Sequence, residues 1–249
     1  MSKTVRRLSC LLLAMAISPT VQAAEGIATI SYADQPVRLF RDTSFYLASR
    51  GAQLQAGDIV ESGVGGLQLE AHNSATIALG PASRICLKAG EPILLDGWMK
   101  IQASASTALK FGGGGLAISA AGGSVILHAA GGKIELFVDT GEPSVAEMEG
   151  ARTVRTTRFP REQYAVRAPG QPLKLLPRPP KEFLAGMPAA FQDTLMPVAV
   201  KGPAPAPKLE RRAAFADVAP WLAAEPALHQ AIHRRFNPPP KPHIPAYTY

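Results

Sequence analysis

Pairs of aliphatic residues separated by one residue recur at short, regular spacings through the first half of this 249-residue chain. Glycine-rich or polar segments, such as Gly65-Gly66 and Gly122-Gly123, lie between the pairs. Alternation with a period of two is typical of strands that bury one face, and glycine pairs favour turns. The sequence therefore predicts an all-β fold of Gly-rich short strands. The pairs are Leu67/Leu69, Ile77/Leu79, Ile85/Leu87, Ile93/Leu95, Met99/Ile101, Leu109/Phe111, Leu116/Ile118, Val125/Leu127 and Ile134/Leu136.

One segment is a direct repeat: SAAGGSVIL at residues 119–127 is followed at once by HAAGGKIEL at residues 128–136. A regular period with small residues at the turns favours the stacked coils of a β-solenoid, in which each repeat buries its face against its neighbours. Short strands at regular intervals are equally consistent with a sandwich. The sequence leaves these two architectures open.

Composition divides the chain into two regions. Residues 24–150 carry 8 basic and 13 acidic side chains, whereas residues 151–249 carry 15 basic and 6 acidic ones and 18 of the 23 prolines. An apolar fraction of 47% argues against a disordered chain, and the basic second region favours an anionic partner. Because its arginines alternate with prolines rather than with stacking aromatics, nucleic acid is not expected as that partner.

Residues 1–23 have the features of a secretory signal peptide. Lys3, Arg6 and Arg7 form a positive head, residues 8–17 are a short apolar run, and small residues precede a cleavage site after Ala23. No later apolar run reaches the length of a membrane span. We therefore expect a periplasmic protein with no transmembrane span. Its one remaining thiol, Cys86, is expected to pack as a small apolar residue in a sheet.

A turn sequence between residues 54 and 63 carries a resemblance to a known family. Leu54, Gly57, Asp58 and Gly63 are followed by an alternating strand, a turn before Ser74, and a further strand that leads to Ser83. This pattern, over residues 26–87, resembles the FecR domain, although His72-Asn73 stands where that family has an Asp-Gly turn. The resemblance implies a β-rich periplasmic domain over residues 24–176. The anti-sigma segment and membrane helix of the best-known FecR-like sensors are not expected here.

The six residues Leu54, Gly57, Asp58, Gly63, Ser74 and Ser83 are interpreted as a structural turn motif. Glycine permits a backbone with positive φ at position 57, and the Asp58 carboxylate can accept bonds from N–H groups of the turn. Gly63 is expected to end the following strand.

The Pro-rich tail, residues 177–249, is expected to carry short helices near residues 217–236, with Asp217 as an N-cap. Trp221 and Phe236 would be poorly solvated if they were left free, so the tail should dock on the β domain or on a partner. Together with Arg234 and Arg235 they are the candidate interaction residues.

The sequence contains no recognisable catalytic motif. There is no Gly-x-Ser-x-Gly, the glycines at 112–115 lack the Lys-Ser/Thr of a phosphate loop, and His229 and His233 have only Glu225 near them as a third ligand. No catalytic, cofactor-binding or metal-binding residue is therefore predicted. The prediction is an exported non-enzymatic binding or scaffold module that engages an anionic glycan or an envelope or signalling protein. Two alternatives remain: a periplasmic hydrolase with an unrecognised carboxylate site, and an accessory subunit of an envelope signalling system.

Overall fold

A computed structural model of the chain describes residues 26–72, 75–88, 91–105 and 108–239. The protein is a curled antiparallel half-barrel sheet, with 48% of residues in strands and 13% in helices. The all-β prediction is therefore confirmed. The signal peptide, Ser74 and residues 240–249 lie outside the described residues.

The curled sheet has two facing halves that share one long strand. Half A contains, in spatial order, β4 (Gln53–Leu54), β1 (Ala28–Ala33), β6 (Leu67–Ala71), β7 (Ala75–Leu79), the second part of β9 (Glu91–Ala103), β12 (Gly123–Ala130), β13 (Lys133–Thr140), β16 (Tyr164–Arg167) and β17 (Lys174–Leu176). Half B contains β18 (Lys208–Arg212), β3 (Ser44–Ala48), β2 (Val37–Arg41), β5 (Ile59–Glu61), β8 (Arg84–Lys88), the first part of β9, β10 (Leu109–Gly113), β11 (Leu116–Ala120), β14 (Ser144–Glu149) and β15 (Arg152–Arg158).

The strand register decides between the two architectures that the sequence left open. Among the described residues, every strand pairing is antiparallel except a short parallel contact of β9 with β10 at Ile93 and Gly112. The two copies of the nine-residue repeat form neighbouring strands of one hairpin, β12 and β13, in which Leu127 lies opposite Leu136. A solenoid would stack such repeats as coils, so the solenoid alternative is wrong and the facing halves form a sandwich-like fold.

The strand β9 connects the two halves because it bends at Gly97. Gly97 has φ +80°, and a Cβ atom there would lie 2.4 Å from the Ser83 hydroxyl oxygen. The Trp98 N–H donates to that same hydroxyl at 2.8 Å, which fastens the bend to the end of β8. The separate pairs Ile93/Leu95 and Met99/Ile101 predicted two strands here; the structure has one strand that changes halves.

The main core lies between the halves and consists of the aliphatic pairs predicted from alternation, with one exception. In the pair Ile93/Leu95, both side chains point away from the main core, and Leu94 between them is the buried core residue. The pair nevertheless lies in an apolar cluster, because the tail covers this outer face of half B.

The tail packs over both outer faces of its own β domain. Helix α1 (Lys181–Gly186) and a 3-10 turn at Ala189–Phe191 cover half A, where Phe183 and Phe191 are buried. Residues 208–212 then add β18 to the edge of half B. Helix α2 (Phe215–Val218), a 3-10 turn at Ala219–Leu222 and helix α3 (Pro226–Phe236) cover half B. Within the described residues, no helix is long and apolar enough to cross a membrane.

The N-cap expected at Asp217 is one turn too late. Helix α2 starts at Phe215 and its N-cap position is Ala214. Asp217 instead stands at the third helical position, where its carboxylate accepts the Ala214 N–H at 2.8 Å and an Arg211 N–H at 2.7 Å. Asp217 therefore stabilises the start of the helix from inside it.

Candidate functional site

The turn at residues 54–58 is held by one buried ion pair. Gly57 has φ +87°, and the Asp58 carboxylate accepts the Gln55 N–H across the turn at 2.7 Å. Asp58 is buried, and the Arg41 guanidinium donates two hydrogen bonds, of 2.8 and 2.7 Å, to its carboxylate. Arg41 also donates to the carbonyl of Gln53. Sequence reasoning identified the carboxylate but missed Arg41, which lies 17 residues away with no local signal.

Three further residues of the predicted turn motif are described. Leu54 is buried in the main core, and Gly63 and Ser83 lie in neighbouring segments. Ser83 is buried at the end of β8, and its N–H donates to the Ser62 hydroxyl at 2.9 Å. The carbonyl of Gly63 accepts the Ala82 N–H at 2.8 Å, which closes the connection between β5 and β8. These contacts are all internal to the domain.

The aromatic interaction candidates of the tail lie on half B. Phe236 stacks on Phe40 with centroids 6.1 Å apart and planes at 15°. Trp221 meets Phe45 edge-on at 5.8 Å, and the Arg84 guanidinium lies 4.9 Å from its ring centroid. Both tail side chains are half-buried in these contacts. Their packing partners are therefore in this same chain.

The arginine candidates behave differently from each other. Arg235 donates to the carbonyl of Gly57 at 3.3 Å, which brings the end of α3 onto the turn motif. Arg234 is exposed. At the other end of α3, burial raises the pKa of the Glu225 carboxyl, and the N–H groups of Gly115 and Gly114 partly offset that effect by hydrogen bonding to it. The glycine turn of 113–115 thus binds a carboxyl group from the tail of its own chain.

The tail histidines His229 and His233 and the thiol of Cys86 pack against aromatic or apolar neighbours, whereas His128 lies 2.8 Å from the Glu135 carboxylate, which also accepts the Tyr164 hydroxyl at 2.6 Å. His229 and His233 pack edge-on against Phe215, at centroid distances of 5.1 and 4.8 Å. Among the described residues, no group of three His, Cys, Asp or Glu side chains could hold a metal ion. Cys86 is buried under the half B cover, and burial raises the pKa of its thiol to about 12.

Arginine side chains line the exposed edge strand of half B. Between residues 152 and 178 the chain carries seven basic side chains and one carboxylate, although Arg167 and Lys174 lie on strands of half A. Three of the basic residues, Arg152, Arg155 and Arg158, lie on β15, whose residues are exposed except for the half-buried Thr157. Within the described part of the chain, β15 pairs with β14 alone. We use the name cationic edge for the unpaired side of β15 with the side chains of Arg152, Arg158 and Arg161.

Arg155 anchors this edge strand to the domain. It binds the Glu147 carboxylate, with a 2.6 Å bond from Nε, and it donates to the Leu173 carbonyl at 3.1 Å. Burial opposes the ionisation of Glu147, but the Leu173 N–H and Arg155 outweigh it and hold the pKa of this carboxyl below its usual value. The strand is thereby tied to the facing half through residue 173. Arg158 has a 2.9 Å ion pair with Glu142, and both side chains remain mostly exposed.

Comparisons with known proteins give a distant structural likeness. No family model matches the sequence, and no curated protein matches it significantly. Two crystal structures of a candidate anti-sigma factor from Parabacteroides distasonis ATCC 8503 are similar, with TM-scores of 0.42 and 0.41 and sequence identities of 10% and 11%. Each alignment covers 51% of this chain, and it spans 63% and 62% of the two neighbours. The FecR resemblance therefore remains a prediction from the sequence.

Proposed function

We propose that the chain is an exported, non-enzymatic binding module of the cell envelope that holds a protein partner at the cationic edge. The observation that carries this proposal is the seven-residue strand Arg152–Arg158, which is paired on one side and exposed on the other within the described residues. The tail covers the outer faces of both halves, and its strand β18 is added at the opposite edge of half B. The strand is long, polar and accessible, as a docking surface must be.

A protein partner fits this edge better than a glycan does. An unpaired strand presents a row of alternating N–H and C=O groups, and a second polypeptide supplies the complementary row. An anionic glycan would engage the arginine side chains but leave that row unpaired. A scaffold or signalling role in the envelope follows from binding without chemistry at this edge.

Site-specific photo-crosslinking tests the proposal in an envelope extract. A photoreactive residue at Val154, which is 53% exposed on β15, should form an adduct with one protein species identified by mass spectrometry. The matched control is the same residue at Val64, which is 85% exposed but far along the chain from β15. The double variant Arg152→Glu/Arg158→Glu should lose the adduct, whereas Arg212→Glu on β18 should keep it.

Two outcomes would contradict the proposal. Equal adducts from Val154 and Val64 would mean that the label reports exposure rather than a docking surface. An adduct that contains glycan and no protein would show that charge alone attracts the partner.

A further inference from the structure

We propose that the cationic edge binds an acidic, extended segment of its partner as an additional strand of half B. This inference rests on the proposed function and specifies the chemistry of the partner at the same surface. The partner strand would pair with the regular part of β15, residues 155–158, and place Glu or Asp side chains next to Arg152 and Arg158.

The direction of the backbone groups on β15 follows from one hydrogen bond. The Phe159 N–H donates to the carbonyl of Pro143 at 2.9 Å, toward the β14 side. Because the direction alternates along an antiparallel strand, the N–H groups of Thr157 and Arg155 also point toward β14. Those of Thr156 and Arg158 point the opposite way, toward the open side. An incoming strand therefore meets at least two donors and the two carbonyls of the same residues.

A β-bulge sets the limit of this docking surface. The register between β14 and β15 shifts between Glu147 and Met148, so Val154 is an extra residue on the edge strand. Bulges and charged side chains on edge strands usually prevent indiscriminate pairing. Here they leave the four regular residues 155–158, with Arg158 at one end and Arg152 beyond the bulge, and these charges favour an acidic strand over an apolar one.

Half B already accepts an added strand at its other edge, and that strand is rich in basic residues but carries one carboxylate. The tail segment Lys208–Arg212 pairs with β3, and its residue Glu210 binds the Arg38 side chain on the adjacent β2 with bonds of 3.1 and 2.9 Å. An extended segment with a carboxylate facing a sheet arginine is therefore the arrangement this sheet uses within its own chain. The β15 edge offers the same combination to another chain.

A second copy of this chain is a poorer occupant. Antiparallel pairing of two β15 strands would bring Arg152, Arg155 and Arg158 of one copy near the same residues of the other. Like charges that lie opposite each other on neighbouring strands are destabilising. Charge complementarity thus favours an acidic segment.

The test uses the full-length protein and an eight-residue peptide of alternating Glu and Val as the probe. Amide hydrogen exchange should slow at Thr156 and Arg158 on peptide binding and stay unchanged at Thr157. The variant Thr156→Pro lacks one outward N–H, so peptide affinity should fall roughly five-fold, the order expected for one hydrogen bond. Its control, Thr156→Ala, keeps the N–H group and should bind like the parent protein.

The remaining arms separate strand addition from charge attraction. The corresponding Lys–Val peptide should not bind, and dextran sulfate should not protect the Thr156 and Arg158 amides. Equal peptide binding by the Thr156→Pro and Thr156→Ala variants would overturn strand addition. Concentration-dependent dimers that protect the same amides without peptide would also overturn it.

If either result is found while the Val154 adduct persists, the proposed function stands and this inference fails. If the peptide binds as expected but Val154 yields no protein adduct, the envelope role fails instead.

Discussion

The ammonium group of Lys100 donates a 2.7 Å hydrogen bond to the carbonyl oxygen of Phe191, in the tail. Lys100 is fully buried on the outer face of half A, and its two other bonds go to the Asp139 carboxylate and the Asp193 carbonyl, both at 2.9 Å. A buried charge of this kind is tolerated because all three donors have partners. One strand side chain therefore holds the first part of the tail in place.

Replacing Lys100 should release that part of the tail. In Lys100→Met, the two tail carbonyls and Asp139 lose their donor, and we expect the free energy of unfolding to fall by about 2–4 kcal/mol. Denaturant unfolding gives the loss, and trypsin should cut faster at Lys181. The control Lys110→Met, at an exposed position of β10, should change neither measurement. A stable, protease-resistant Lys100→Met variant would show that apolar packing alone holds the segment.

The bend of β9 should tolerate no side chain at residue 97. Alanine there combines a positive φ with a Cβ position 2.4 Å from the Ser83 hydroxyl oxygen, so Gly97→Ala should cost about 2–4 kcal/mol. Gly63→Ala is the control, because nothing lies within 4 Å of its added Cβ and its φ is not positive. Thermal unfolding of the two variants measures the difference. Similar melting temperatures would contradict the close packing of Ser83 and Gly97.

The Cys86 thiol should be inert in the folded protein. Burial raises its pKa to about 12, so very little thiolate exists at pH 8 and reagents have no access. In a Cys10→Ser background, a thiol-specific chromogenic reagent should react with Cys86 only after denaturant is added. Labelling within minutes under native conditions would mean that the helical cover of half B opens readily.

Docking of helix α3 should strengthen at mildly acidic pH. Because the folded pKa of Glu225 is raised, the folded state binds more protons than the unfolded state between the ordinary and the raised pKa. This group therefore adds stability as the pH falls through the raised pKa toward the ordinary value near 4.5, and it removes stability as the pH rises. Fluorescence of Trp221 in a Trp98→Phe background should follow the change during denaturant titrations at several pH values.

The variant Glu225→Gln isolates this effect. The amide keeps a hydrogen-bond acceptor for the Gly114 and Gly115 N–H groups but does not titrate, so the local pH dependence should disappear. A pH response that survives the substitution would assign it to other groups. Glu135 and Glu147 work in the opposite sense, because their pKa values are lowered and their contribution is lost as the pH falls.

Alternation predicted which residues face the main core, and it failed where both faces of a strand are buried. All five residues of β7 are buried. Ala75, Ile77 and Leu79 face the main core. On the outer face, Ala78 packs in the cluster that the tail covers, and the Thr76 hydroxyl donates to the Glu70 carboxylate. Single-face periodicity cannot reveal such a second layer. The same limit applies to Ile93 and Leu95, which the alternation assigned to the wrong side.

The site residues were predictable only where the contact is local. Asp58 bonds to Gln55 three residues away, so its turn role could be inferred from the sequence. Its partner Arg41 and the anchor Lys100 act over 17 and 91 residues, where no short-range pattern operates. The basic excess of residues 151–249 was visible as charge, but the location of three of its arginines on an open strand depended on the register of β14 and β15.

The tail contacts impose an order on folding. Arg235 meets Gly57 across 178 residues of sequence, and Glu210 meets Arg38 across 172. Closing such long loops costs chain entropy before any contact compensates for it, so these contacts should form last. Until these contacts form, the side chains of Phe40, Phe45 and Ile126 on the outer faces of the sheet are exposed to solvent, because the tail residues that bury them are not yet in place. Newly emerging chains should thus pass through a collapsed stage with two bare apolar surfaces, which is the stage at which a holding chaperone would prevent aggregation.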